Sequence, residues 1–389
     1  MVETVPALAL VQQLMAIPGK SCEERNVIAE IHRRLRDAGL PESTILIDDS
    51  QTRSPYGGDT GSLIVKLPGT LSGPRRLLMA HVDTVPLCQG CRPIQDGDLI
   101  RSADPETALG ADNRGGATVL LNTLLEIIKQ KLPHPPLTFF WPIQEEIGLI
   151  GARHAKLEDL GHPELCFNWD GGAPNMVCIG ATGAYRFDVT VFGTASHAGV
   201  HPEQGANAIV MASLAIADLQ QNGWHGLIQK GTQTGTSNIG VILAGDATNV
   251  VTPLLKLKGE VRSHDPEFRK QLVSEFRGAF ERAVQQVKTS DGIAGRVDFD
   301  ERLEYESFKL DEASPCVVEA VRAILATGLE PQTRISNGGL DANWLSSRGL
   351  PTVTLGCGQQ NVHTVKETLH IPSFLSACQV ALLLATSNS

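Results

Sequence analysis

The sequence predicts an α/β protein with two domains. Short, continuously apolar runs read as buried strands, and amphipathic stretches between them read as helices. A middle segment changes to a different strand and helix order. At 389 residues the chain also exceeds what one compact core usually supports. The net charge of -10 argues against a nucleic-acid surface, and no stretch is long enough to cross a bilayer, so neither nucleic acid nor membrane is expected as a partner. The first residues lack the basic start and apolar core of a signal segment, and the eight cysteines are scattered. Both features suit a reducing, cytoplasmic compartment.

Taken in order, Val5–Ile17 reads as an amphipathic helix closed by Pro18-Gly19. Ser21 and Glu24 have capping-box spacing ahead of a second helix, whose apolar face is Val27, Ile28, Ile31 and Leu35, and Gly39 ends it. Strands are expected at Thr44–Ile47 and Ser62–Leu67, and then at Leu77–Ala80, which stops at His81-Val82-Asp83. In an extended H-x-D, both side chains point to one side, so the carboxylate can hold the imidazole through its second nitrogen. Cys88 and Cys91 follow; a zinc ribbon would need a second pair, so they read as two loop thiols.

Ala108–Gly116 (ALGADNRGG) turns tightly into a helical run, Ala117–Lys131, with Asp112 near its start. Standing alone, Asp112 would read as an N-cap, and the segment lacks the order of a phosphate loop. Leu137–Ile143 is a buried strand ending in Gln144-Glu145-Glu146. Leu165–Trp169 is another, ending in Asp170. Adjacent carboxylates at the end of an apolar strand are costly unless something positive neutralises them. Late in the chain Pro351–Leu355 is strand-like, followed by a turn and His363, with Glu367 four residues on. Two histidines and three carboxylates, one of them shared, can hold two zinc ions, with the sixth residue left over as a base.

HVDT, GADNRGG, QEEIG, DGG and HT-x-x-E, in this order and spacing from about Leu77 to about Glu367, closely resemble the co-catalytic zinc exopeptidases. That family includes peptidase T, carboxypeptidase G and the aminoacylases. The peptidase T-like subgroup is most similar, through its lid motif (Ser196–Ile209) and its C-terminal loop (Ser336–Val353). The resemblance implies that His81 and Asp170 bind one zinc, Glu146 and His363 the other, and Asp112 both. Cobalt or manganese are possible substitutes. It implies that Asp83 orients His81, that Glu145 is the general base, and that the Asp112–Asn113 peptide is cis. Asn113 stands where many relatives carry Asp.

The middle segment, with strands at Phe187–Phe192, Ser237–Leu243, Leu255–Val261 and Arg296–Tyr305 and helices at Ala206–Gln220 and Pro266–Val287, reads as βαββαβ. The resemblance makes this an inserted α+β open-faced sandwich, the lid and dimerisation domain, at 183–307. Residues 1–182 and 308–389 form the catalytic domain, a mixed sheet flanked by helices, and a homodimer through the lid is expected. His197 resembles the histidine that polarises the scissile carbonyl, sometimes from the neighbouring subunit. Asn249 and Arg262 match residues that hold the substrate's carboxylate, with Asn207 and the Gly338-Gly339 turn lining the same pocket. His201, His225 and His264 read as structural or surface residues. The expected activity is exopeptidase cleavage of small peptides, with an N-acyl amino acid deacylase as the nearest alternative. A non-catalytic metal- or peptide-binding protein is a more distant one, disfavoured by the intact Glu145 beside Glu146. A nicotinamide dehydrogenase fails for lack of the glycine fingerprint.

Overall fold

A computed structural model of the chain describes residues 4–387. The chain divides into two compact units, Met1–Ala181 with Lys309–Ser389, and Thr182–Phe308.

The first unit is built on a mixed sheet. Its strands run in the order Ile45–Ile47, Leu63–Leu67, Leu137–Trp141, Arg76–Met79, Leu165–Trp169, Thr352–Leu355 and Met176–Ala181, with Gln332–Ser336 also paired to the last of these. The central strands 76–79, 137–141, 165–169 and 352–355 are buried at every position, as strands covered on both faces must be. They are also mutually parallel: Met79 pairs with Phe140 and Asn168, and Leu355 with Trp169. Four apolar strands therefore end side by side along one edge of the sheet, where open α/β sheets place their ligands. Helix Ala111–Gln130 packs beneath, with helices Thr4–Met15 and Ile371–Thr386 against it.

The second unit is an antiparallel sheet in the order 226–230, 233–244, 254–263, 183–192 and 296–305, with helices Ala208–Gln221 and Pro266–Val284 forming its core. Strand 183–192 alternates buried and half-buried residues along its outer half. Phe187 is the centre of the packing, its ring 5.0 Å from Phe276 and 5.2 Å from Phe299.

Three local expectations are corrected. The lid has one more strand than the βαββαβ reading allowed, because the short run Gly226–Lys230 folds back on Gln233–Ser237 as a hairpin. The helix expected from Ala117 begins at Ala111, across a kink at Asp112 and Asn113. Ser21 and Glu24 do not form a capping box. Helix Arg25–Asp37 starts without a side-chain cap, and both side chains turn elsewhere: the Ser21 hydroxyl donates to Asp83, and the Glu24 carboxylate accepts from Cys22 and Gln144. Unexpected from the sequence were the strands 93–96, 99–102, 176–181 and 332–336 and the helices Pro315–Ala326, Asp341–Ser347 and Ile371–Thr386.

Because Phe276 is fully buried against Phe187, Phe276→Ala should destabilise the 182–308 unit by about 3–5 kcal/mol. A lowered urea midpoint in that unit's unfolding transition would show this.

Candidate metal centre and active site

Each strand end delivers one part of the site. Strand 76–79 leads to His81 and Asp83, strand 137–141 to Glu145 and Glu146, strand 165–169 to Asp170, and strand 352–355, after a turn, to His363. Asp112 arrives from the kinked start of the helix below. There the Asp112–Asn113 peptide is cis, as the resemblance implied. Gly116 allows the close approach: a Cβ at that position would lie 2.3 Å from the Trp169 carbonyl oxygen.

The geometry centres on Asp112. Its Oδ1 is 3.2 Å from His81 Nε2, while its Oδ2 is 3.4 Å from His363 Nε2. His81 Nε2 is also 3.8 Å from Asp170 Oδ1, and His363 Nε2 is 3.0 Å from Glu146. Two donor groups result, His81 with Asp112 and Asp170, and Asp112 with Glu146 and His363, each with ligand atoms within 4.8 Å of one another. Asp112 belongs to both, one oxygen to each imidazole. Glu145 belongs to neither, although its Oε2 is 3.9 Å from His81 Nε2. Asp83 lies behind the first group. Its Oδ1 is 3.2 Å from His81 Nδ1, and it accepts the N–H groups of Glu145 and Glu146 at 2.9 and 3.2 Å.

The electrostatics show what the cluster lacks. Five carboxylates, Asp83, Asp112, Glu145, Glu146 and Asp170, surround His81 and His363. Carboxylates outnumber the imidazoles in this largely enclosed space, a crowding that is relieved by a bound cation or by protonation of some of the acids. The buried guanidinium of Arg114 donates to the carbonyls of Leu14 and Gly19. Burial raises Glu145 well above the usual carboxylate range, with Asp170, Asp341 and Glu146 adding to the rise against the pull of His81. Burial together with the Asp112 and Glu146 carboxylates pushes Asp170 up to about 7. Asp112 moves down, because the two imidazoles outweigh its burial. His363 is raised to about 10 by its hydrogen bonds to Asp112 and Glu146. Nitrogen and carboxylate donors in two sets sharing one carboxylate suit two divalent cations.

The residues expected to contact substrate from the second unit are in two places. His197 and Asn249 are neighbours: His197 bridges to Val250, and the Ala198 N–H donates to the Asn249 carbonyl at 2.9 Å. His197 Nδ1 accepts the N–H groups of Gly199 and Val200, both at 3.2 Å, so the neutral ring carries its proton on Nε2. Arg262, on strand 254–263, makes a two-pronged ion pair with Glu260 at 2.9 and 3.1 Å. Asn207 caps helix 208–221 by accepting from Ile209 and Val210. In the first unit, the Gly338 N–H donates to Ser336 Oγ at 3.1 Å.

Several residues that hold the site had no assigned role in the sequence. Glu367 is buried and accepts the N–H groups of Gly110 and Asp112 at 2.7 and 2.9 Å, fixing the entry to the helix. The Gln359 amide donates to Asp170 Oδ1 at 3.3 Å. Asp341 is buried with both carboxylate oxygens lacking a hydrogen-bond partner, and burial raises it well above the usual range. Its signal was an acid two residues after the Gly338-Gly339 turn. Cys88 and Cys91 are buried free thiols.

Known proteins resemble the chain along nearly its whole length. A model described as the peptidase dimerisation domain of the M20 group matches residues 179–288, and one for peptidase family M28 matches residues 62–179. A tripeptidase from Staphylococcus aureus superposes with a TM-score of 0.88 at 28% identity, covering 99% of this chain and 98% of that one. The uncharacterised YqjE of Bacillus subtilis is 28% identical over 371 residues, 95% of each chain. Peptidase T of Vibrio cholerae is 25% identical over 85% of this chain and 86% of its own. Fold, donor groups and relatives together define a metal-dependent peptidase. Within that class the chain is similar to peptidase T-like members of the M20 family.

Metal uptake by this cluster should release protons. His363 in the metal-free protein is held at about 10 and so is charged at pH 7, whereas a ligating ring must be neutral. Apparent affinity for Zn2+ should therefore rise from pH 6 to pH 8. Calorimetry in buffers of different ionisation enthalpy should report protons leaving the protein; no buffer dependence would contradict the assignment.

Proposed function

We propose that this protein is an exopeptidase of the di- or tripeptidase type, with two zinc ions held by His81, Asp170, Glu146, His363 and the shared Asp112. One observation carries the reading: Asp112 presents one oxygen to each donor group while Glu145, half-buried beside them, is left free of both. A pure binding site would need the ligands and not the extra carboxylate. When bound, the two cations would polarise the scissile carbonyl and acidify the attacking water.

The chain's own residues supply the proton transfers and the positioning. Glu145 takes a proton from the attacking water and returns it to the leaving nitrogen. Asp83 fixes the ring of His81 and, through the N–H groups of Glu145 and Glu146, the loop that carries the base. His197 offers its Nε2–H to the carbonyl oxygen where negative charge develops, because its Nδ1 is already engaged. Arg262 and Asn249 hold the substrate's carboxylate. A substrate carboxylate would have to share or replace the two-pronged pair that Arg262 makes with Glu260. Asn207 and Gly338 complete the pocket lining.

Residues 183–307 act as lid and dimerisation domain in this reading, with 1–182 and 308–389 as the catalytic domain. Strand 233–244 pairs with the 226–230 hairpin only as far as Ser237, so beyond it one edge is open. There Val241, Ile242 and Leu243 are exposed, as are Ile209, Val210 and Leu214 on helix 208–221. An open edge with exposed apolar side chains suits a second copy of the chain. A cytoplasmic location accords with the free thiols. Among the described residues no helix is long and apolar enough to cross a membrane.

Zinc-loaded protein should hydrolyse tripeptides or dipeptides, and chelation should abolish turnover. Glu145→Ala should lower kcat by roughly 10²–10⁴-fold with metal content unchanged. Turnover of N-acetyl amino acids alone would move the protein to the deacylases, and no turnover with two metals bound would sink the enzyme reading. Leu243→Asp should shift the dimer toward monomer in sedimentation.

A further inference from the structure

The turn that carries Glu145 is held more firmly than a loop requires. Gln144 adopts a left-handed backbone, with φ +54, where residues other than glycine are uncommon. It is fully buried, and its four polar groups are satisfied from three other places in the chain. Its N–H donates to Glu24 Oε1 at 3.0 Å, and its carbonyl accepts from Ile150 at 3.1 Å. Its side-chain oxygen accepts from the Ser54 hydroxyl at 2.6 Å, and its side-chain nitrogen donates to the Gly57 carbonyl at 2.7 Å. A Cβ at Gly58 would lie 2.5 Å from that nitrogen, so the neighbouring loop is shaped around the amide.

The next two N–H groups, of Glu145 and Glu146, go to Asp83. Three successive backbone donors are thus gripped by two buried carboxylates, Glu24 and Asp83. Both are tied to one N-terminal segment, since Ser21 donates to Asp83 at 2.7 Å and the Cys22 N–H donates to Glu24 at 3.1 Å. Glu24, Gln144 and Ser54 are absent from both donor groups. We propose that Glu24, Gln144 and Ser54 form a clamp that sets the direction of Glu145, with Glu24 as its principal positioning residue. The proposal rests on reading Glu145 as the base.

A small misplacement of a proton-transfer group is expensive in rate, whereas binding of substrate elsewhere is indifferent to it. The clamp should therefore act on kcat and leave KM alone. Burial, reinforced by the Asp83 carboxylate, pushes Glu24 up to about 8. Both N–H groups go to Oε1, an acceptor that glutamine keeps as its amide oxygen.

The experiment compares Glu24→Ala, Glu24→Gln, Ser54→Ala and Glu145→Ala in the full-length, zinc-loaded protein. It reads kcat, KM, zinc per chain and hydrogen–deuterium exchange of the peptide containing Gln144–Glu146. Glu24→Ala should lose about 10- to 100-fold in kcat with KM and zinc unchanged and faster exchange at the turn. Glu24→Gln should recover most of the rate, and Ser54→Ala, at a more exposed hydroxyl, should show a smaller loss of the same kind. Wild-type kcat and exchange in both Glu24→Ala and Ser54→Ala would overturn the proposal, as would an equal loss in Glu24→Gln accompanied by lost zinc. Wild-type kcat in Glu145→Ala would overturn the base assignment and the clamp's purpose with it. That failure is distinguishable because it appears in the Glu145 variant whatever the Glu24 variants do.

Discussion

Carboxylates that cost little at a wet surface become a liability at the ends of buried strands, and this chain collects five of them around two imidazoles. Much of the first unit can be understood as the means of keeping them there. Parallel pairing of strands 76–79, 137–141, 165–169 and 352–355 brings their ends into line. Asp83, Glu367 and Gln359 then fix individual groups by hydrogen bonds from behind. Crowding of these groups favours a cation, and burial, with the neighbouring carboxylates adding to it, raises the proton affinity of metal-free Glu145.

The two units divide the work by their physics. The first presents rigid strand ends, where preorganised donors can be held to tight tolerances. The second is an antiparallel sheet with its helices in the core, an open edge and exposed apolar positions. Such a surface suits association, and its His197 turn has a backbone that fixes which ring nitrogen carries the proton.

His81, Glu145, Glu146 and Asp170 stood out in the sequence because they follow apolar runs, where polar groups need a reason, while their division into ligands and base came from the family resemblance. Asp112 was harder to read, since the same spacing describes an ordinary N-cap; what separates the two readings is the kink that turns its carboxylate away from the helix. The supporting residues were not legible. Ser21 and Glu24 carry the spacing of a local capping box, and nothing nearby in sequence reveals that their partners are Asp83 and Gln144. Asp341 and Gln359 likewise act on residues far away in the chain. Short-range pattern reveals strands and their polar termini, while long-range hydrogen bonds leave no periodic mark. The hairpin strand 226–230 was missed for a related reason: five residues with mixed burial give too little alternation to register.

The position of strand 352–355 has a further consequence for how the molecule is made. It lies between strands 165–169 and 176–181, which are close neighbours in sequence, yet it is synthesised after the whole 182–308 unit. Until it arrives the sheet has a gap, and the turn bearing His363 does not exist. The growing chain therefore carries four of the five donor residues on the ribosome without the fifth. The second donor group, Asp112 with Glu146 and His363, is therefore the last part of the site that the growing chain can assemble.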